Sequence, residues 1–201
     1  MPRVLGVTGG IASGKSLVTK MLGELGAATL SADEAAREVL AKGEPAHLEV
    51  VERFGERVVA ADGEIDRAAL GEIIFRNVQD REALNAITHP RIVQRISERV
   101  QRFKSETAGT NAIMAVEIPL LFECGLTDLV DETLVVAAEQ ETQLSRLTVR
   151  NGLSVKEAEA RIASQMPIKH KTSLADHIIR NNGSVEQLRE SVHRFWSQIS
   201  S

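Results

Sequence analysis

The chain has 201 residues, 43% apolar and 26% charged, a balance that suits one soluble globular domain with a core of its own and room for a smaller inserted part. A net charge of −4 argues against broad binding to nucleic acid or anionic membrane, and no apolar run approaches the ~20 residues of a bilayer crossing. The single cysteine, Cys124, excludes an internal disulfide; because Met1-Pro2-Arg3 leads straight into a strand-like run, no cleaved leader is expected, and the setting is expected to be reducing and cytoplasmic.

Residues 4–8, Val-Leu-Gly-Val-Thr, read as a buried strand. They lead into Gly9-Gly10-Ile11-Ala12-Ser13-Gly14-Lys15-Ser16, which matches G-x-x-x-x-G-K-[ST] at every position. The helix after it places Leu17, Val18, Met21, Leu22 and Leu25 on one face, with Gly26 as its end. Strand, glycine-rich loop and amphipathic helix are the context this motif needs. The glycines let the backbone curl so that N–H groups converge, and with the positive end of the helix they form an anion site. All eight loop residues, with Leu17 next in the helix, are candidate nucleotide contacts. Lys15 is expected to reach the β- and γ-phosphates of ATP, and the Ser16 hydroxyl to bind Mg²⁺. The plainer alternative is a glycine-rich turn with a solvated lysine. The motif implies nucleoside triphosphate binding and leaves the fate of the phosphate open.

A second strand is expected over residues 27–31, followed by Asp33 at the carboxyl edge of the sheet, where ligands bind in open α/β folds. A carboxylate there can accept the proton of an acceptor hydroxyl and help hold Mg²⁺ through water. It also suits the N-cap of a helix starting at Glu34. Residues 32–111 read as wholly helical, with Leu70, Ile73 and Ile74, then Ile92, Val93, Ile96 and Val100, as two apolar faces and Asp62-Gly63 as a turn. A crossover between parallel strands needs only about a dozen residues, so the excess is a candidate substrate-binding insertion. Within it Asp66 suits a helix N-cap, and Arg67 can meet a substrate phosphate. Pro90 suits the first residue of a helix, which leaves His89 open between helix start and ligand contact.

A third strand is expected over residues 112–118, stopped by Pro119, with Glu117 as a partly exposed strand-end carboxylate or, alternatively, a group orienting Mg²⁺ through water. Glu123 is read as structural, and Cys124 as an inert thiol. After a fourth strand over residues 133–137, a helix carries Arg146 and Arg150 at i and i+4, where like charges repel unless an anion lies beside them. Arg161, Lys169 and Lys171 follow, so the segment reads as a lid closing over phosphates; a solvated face balanced by Glu139, Glu141 and Glu157 is the alternative. Ser154-Val155-Lys156-Glu157 and Ser184-Val185-Glu186-Gln187 both match the capping box. A short fifth strand fits residues 177–180, and Leu188, Val192, Phe195 and Ile199 recur at helical spacing. Alternation of this kind implies a mostly parallel sheet with helices on both faces. The chain contains no Asn-Lys-x-Asp guanine-reading run and no four apolar residues ending in Asp-Glu, which favours a kinase over a GTPase-like or ATPase-like switch.

The chain resembles the dephospho-CoA kinase family through residues 8–16, 32–33, 66–67, 89–90, 118–123, 143–147, 161–165 and 175–183, in the family's order along nearly its whole length. The resemblance implies a P-loop NTPase-type α/β fold, a five-stranded parallel sheet flanked by helices. It implies one kinase domain over 1–201, made of a nucleotide-binding core (1–60, 108–138 and 172–201), a helical CoA insertion (61–107) and a helical lid (139–171). The implied reaction is phosphorylation of the ribose 3′-hydroxyl of dephospho-CoA with MgATP, giving CoA and ADP, the last step of coenzyme A biosynthesis. No nucleic-acid or membrane partner is implied, and the protein would be a monomer or small homo-oligomer. Asp33 resembles the catalytic base and Arg146 the lid arginine on the ATP phosphates. Asn181, Asn182 and Gly183 fall where the family approaches adenine, and Arg67 and His89 fall on the acceptor side. Ser31-Ala32-Asp33 departs from the family's frequent Asp-Ala-Asp, so the base is kept and the first carboxylate is replaced by a hydroxyl. Another P-loop nucleoside or nucleotide kinase, or a nucleotide-hydrolysing switch, is the alternative reading.

Overall fold

The computed structural model describes residues 1–200 and, at 150 and 151, the backbone alone. Five parallel strands, β1 (Arg3–Gly9), β2 (Ala28–Ser31), β3 (Ile113–Glu117), β4 (Glu132–Ala137) and β5 (His177–Arg180), form one sheet in the order β2-β3-β1-β4-β5. Each starts and ends within a residue of its expected place. Val4, Val7, Leu134, Val135 and Val136 are wholly buried, as parallel strands covered on both faces require.

On one face α1 (Lys15–Glu24) turns in Val18, Met21 and Leu22, and α9 (Val185–Ile199) turns in Leu188, Val192 and Phe195. Together they close a core over Leu5, Val7, Leu134 and Val136. On the other face Gly6 has no room to spare: a Cβ there would lie 3.0 Å from both Leu121 and Val130. Both expected capping boxes are formed, at Ser184 before α9 and at Ser154 before α7 (Val155–Ala163). Among the described residues no helix is long and apolar enough to cross a membrane.

The chain divides into a unit of residues 1–31 and 100–201, which holds the sheet, and a unit of residues 32–99. The second unit comprises α2 (Ala32–Val39), α3 (Pro45–Phe54), α4 (Arg67–Arg76) and the part of α5 (Val78–Glu106) that precedes residue 100. Its core is built from Val50, Phe54, Val58, Ile65 and Leu70, with Ile73, Ile74, Leu84 and Ile87 packed around them. α2 and α3, before residue 61, group with α4 in the 32–99 unit, because α3 supplies part of the core on which α4 rests. Ion pairs Arg91–Glu49 and Arg99–Glu38, both at 2.6 Å, tie α5 to the same early helices. Asp62-Gly63 does form a turn, with Gly63 at φ 83° and Val59 bridged to Ile65. Asp66 caps α4, accepting from the Ala68 and Ala69 N–H groups at 2.9 and 3.0 Å.

Pro90 does not begin a helix. It lies inside the 29-residue α5. Its fixed φ is compatible with helix, and the cost is the missing N–H opposite the Ala86 carbonyl. Leu84 and Ile87, packed on the core just before it, hold the helix on course.

In the sheet unit, β5 is pinned at its start. Asp176 accepts from the Thr133 hydroxyl at 2.7 Å and from the Thr133 N–H at 2.8 Å. The hydroxyl bond first, then the N–H, hold its carboxyl below the ordinary range against a smaller opposing effect of desolvation. A depressed folded pKa means that the unfolded chain binds more protons in acid. The stabilisation is therefore complete above the ordinary value of about 4 and is lost as the pH falls through the lowered one. The stability deficit of Asp176→Asn in urea unfolding is expected to be largest near neutrality and to shrink below about pH 4. A deficit independent of pH would remove the carboxylate from this account.

Candidate active site

β1 ends at Gly9, and Lys15 opens α1, so the matched motif forms the link between strand and helix. Ala12 at φ 57° and Gly14 at φ 95° both take the left-handed region. A Cβ on Gly9 would run into the Val136 backbone oxygen, and one on Gly14 into the Asn181 amide nitrogen. The loop thus packs too closely on β4 and on the end of β5 to carry side chains there. Gly14 caps α1 without a side chain, which leaves the first-turn N–H groups for an anion.

The polar groups around the loop form a connected set. Lys15 is buried, and its ammonium donates to the Gly10 carbonyl at 2.9 Å and the Gly9 carbonyl at 3.3 Å. Ser16 Oγ donates to Glu117 Oε1 at 2.7 Å. In α6 (Gln140–Asn151), Arg146 donates to the Ala12 carbonyl and to Asn181 Oδ1, each at 3.2 Å. Asn181 in turn donates from Nδ2 to the Ser13 carbonyl at 2.8 Å. The Ile11 peptide is held on both sides: its N–H donates to Gln165 Oε1 at 2.7 Å, and its carbonyl accepts from Gln143 Nε2 at 2.6 Å.

Beside this network lies a cleft of about 490 Å³, lined by Ala12, Gly14, Lys15, Ser16, Leu17, Arg146, Asn181 and Gly183. Val149 and Val185, both exposed, complete its wall. One end is cationic and rich in backbone donors, the other apolar, the pairing a nucleotide needs. Asn182 is turned away: its amide oxygen accepts from the Glu139 N–H and its nitrogen donates to Glu139 Oε1, both at 2.8 Å, tying the β5–α9 loop to the start of α6. The side chain of Arg150 lies outside the described residues.

Glu117 was expected to be partly exposed, but it is 7% exposed. It ends β3 opposite Ser31 of β2. The pair Ser16 and Glu117 offers a hydroxyl at the start of α1 and a carboxylate oxygen at the end of β3, which suits a hard cation. No group of three or more His, Cys, Asp or Glu that could hold a metal occurs among the described residues. Mg²⁺ fits such a site because it commonly relies on one or two carboxylates together with nucleotide phosphates.

The remaining candidates belong to the 32–99 unit. Asp33 is exposed in the first turn of α2, which begins at Ala32, so it is not the cap of a helix starting at Glu34. Its charge there favours the helix dipole. Arg67 is exposed at the first position of α4, and His89 is half-buried in α5 next to Pro90.

A family model for dephospho-CoA kinase (CoaE) matches residues 3–187. The chain belongs to the dephospho-CoA kinase family. The dephospho-CoA kinase of Carboxydothermus hydrogenoformans is 47% identical over 189 residues, 94% of this chain and 90% of that one. Among solved structures, dephospho-CoA kinase from Campylobacter jejuni is 32% identical with a TM-score of 0.75, over 100% of this chain and 98% of that one. TT1252 from Thermus thermophilus is 33% identical with a TM-score of 0.77, over 98% and 97%. For a dephospho-CoA kinase family member, ATP is the implied phosphoryl donor.

Some groups around the phosphate loop were missed by the sequence reading or given other roles. Glu117 was given a Mg²⁺-orienting role only as the alternative, although it had a usable signal: residues 113–116 are four apolar residues followed by this carboxylate. Gln143 and Gln165 had none: they reach Ile11 from 132 and 154 positions away. Glu123 and Lys171 were placed in unrelated roles, yet they form a 2.7 Å ion pair. Burial, then the nearby Glu123 carboxylate, push the Cys124 thiol up, with Lys171 opposing, so Cys124 stays protonated and unreactive.

Proposed function

We propose that the protein transfers the γ-phosphoryl group of MgATP to the ribose 3′-hydroxyl of dephospho-CoA, giving CoA and ADP, the last step of coenzyme A biosynthesis. The span of the family match carries the reading. Residues 3–187 take in both the phosphate loop and the whole 32–99 unit, so the match is not confined to a loop shared with other nucleotide enzymes.

In this mechanism the β- and γ-phosphates rest on residues 9–16 and the start of α1. Lys15 exchanges the Gly9 and Gly10 carbonyls for phosphate oxygens. Arg146, braced by Asn181, balances the charge that develops on the transferring group. Asp33 accepts the proton of the 3′-hydroxyl and aligns its oxygen with the γ-phosphorus. The new O–P bond forms as the bond to the β-phosphate oxygen breaks and ADP leaves. Ser16 and Glu117, with Asp33 through water, would hold Mg²⁺, which would supply neutralisation of the phosphate charge. The base lies towards Val149, Val185 and Gly183, with Leu17 beside the phosphates, while Asn182 steadies that wall through Glu139. Arg67 and His89 bind the acceptor, whose pyrophosphate suits the Arg67 guanidinium. Residues 139–171 act as a lid that excludes water from the phosphates. The enzyme works in the reducing cytoplasm as a monomer or small homo-oligomer.

A coupled ADP-release assay with MgATP tests this reading by comparing dephospho-CoA, AMP, adenosine and no acceptor. ADP release that requires dephospho-CoA is expected. Release with another acceptor alone would keep a kinase and reject the substrate. Release without any acceptor would favour a nucleotide-hydrolysing switch.

A further inference from the structure

The most deeply buried charge among the described residues of the sheet unit has no role of its own in the mechanism above. Lys171, in α8 (Ile168–Leu174), has no exposed side-chain surface. Its ammonium pairs with Glu123 Oε1 at 2.7 Å and donates to the Pro119 carbonyl at 3.2 Å and the Gly9 carbonyl at 3.5 Å. The Gly9 carbonyl is the one that Lys15 also reaches, and Pro119 also accepts from the Thr8 hydroxyl at 3.1 Å. A second ammonium therefore lies under the first glycine of the phosphate loop.

Sealing an ammonium away from water is costly, and an apolar side chain of similar length fills such space more cheaply. Packing alone does not account for a charge here. What the charge reaches does: Gly9 ends β1, and Pro119 lies two residues beyond Glu117, which bonds to Ser16. Burial alone would raise the Glu123 carboxyl, but the Lys171 bond and charge, with the Glu123 and Met166 N–H groups, hold it below its ordinary range. Lys171 thus faces an ionised partner at neutral pH.

We propose that Lys171 is a positioning residue for phosphoryl transfer: it keeps hold of the Gly9 carbonyl, so that Lys15 can leave that carbonyl for the phosphates while the loop stays in place. Without Lys171, Lys15 must serve both the carbonyl and the phosphates. The inference rests on the kinase reading given above, and α8 joins the loop to residues 119–123 through this one side chain.

Three variants separate positioning from plain structure. Lys171→Met strands the Glu123 carboxylate and is expected to lower the melting temperature by about 10 °C. Lys171→Met combined with Glu123→Gln leaves no unpaired charge, and the two carbonyls retain Lys15 and Thr8 as donors. Most of the melting temperature is expected to return, while kcat/KM for ATP stays about 100-fold below wild type and KM for dephospho-CoA is unchanged. Glu123→Gln alone strands the Lys171 ammonium and is expected to lower the melting temperature as well, but with Lys171 still on Gly9 the folded protein is expected to keep kcat/KM for ATP close to wild type. A double variant with wild-type kcat/KM for ATP would overturn the proposal, as would a folded Glu123→Gln variant losing kcat/KM for ATP as badly as Lys171→Met. Calorimetric titration with a non-hydrolysable ATP analogue, on variants shown folded by circular dichroism, reads the same effect without an acceptor. A wild-type enzyme that ignores dephospho-CoA would thus count against the substrate and leave Lys171 still tested.

Discussion

Asp33→Asn is expected to lower kcat by about 1,000-fold while ATP affinity stays near wild type. Asparagine keeps the size and a hydrogen-bonding oxygen, but it cannot take the proton of the acceptor hydroxyl. The fold should tolerate the change, since Asp33 is exposed in the first turn of an eight-residue helix. Losing its favourable interaction with the helix dipole costs about 0.5 kcal/mol. Steady-state kinetics, ATP titration and a thermal melt on the same preparation separate these effects. If ATP affinity falls in step with kcat, Asp33 acts on the metal or the loop and is not the base.

The second large effect concerns Lys15. Lys15→Met is expected to reduce kcat/KM for ATP by about 1,000-fold or more, through loss of charge stabilisation on the transferring oxygens. Its structural effect should be modest for a buried lysine, because the Gly9 carbonyl keeps Lys171 as a donor. Kinetics should collapse while the melting temperature moves little. The reverse, an unfolded variant with normal specific activity in its folded fraction, would make Lys15 a strut of the loop. Lys15→Met and Lys171→Met are therefore expected to fail differently, the first mainly in chemistry and the second in both stability and chemistry.

The contrast between Lys15 and Lys171 also shows what a sequence makes visible. Lys15 sits in a motif of eight consecutive residues, and its neighbours in the chain dictate its place. The five strands were equally legible, as short apolar runs bounded by glycine, proline or polar residues, and so were the two capping boxes, whose bonds span three residues. Lys171 looked like one more lid cation, because its burial depends on Glu123, Pro119 and Gly9, which are remote in sequence. Pro90 misled for a related reason: its local preference is for a helix start, and packing of α5 before it overrides that preference. Asn182 was placed by resemblance near adenine; the bonds of its amide to Glu139, 43 positions away, had no local signal. The acceptor side was the least legible from local signals. Asp33, Arg67 and His89 are single residues on separate helices, and the reading of them as a set came from the family blocks.

The most direct test of the account follows the transferred group itself. A single turnover with γ-labelled ATP and dephospho-CoA, with product examined by ³¹P NMR, should place one label on the ribose 3′-oxygen for each ADP formed. Label recovered as inorganic phosphate, or on any other oxygen of the acceptor, would contradict it.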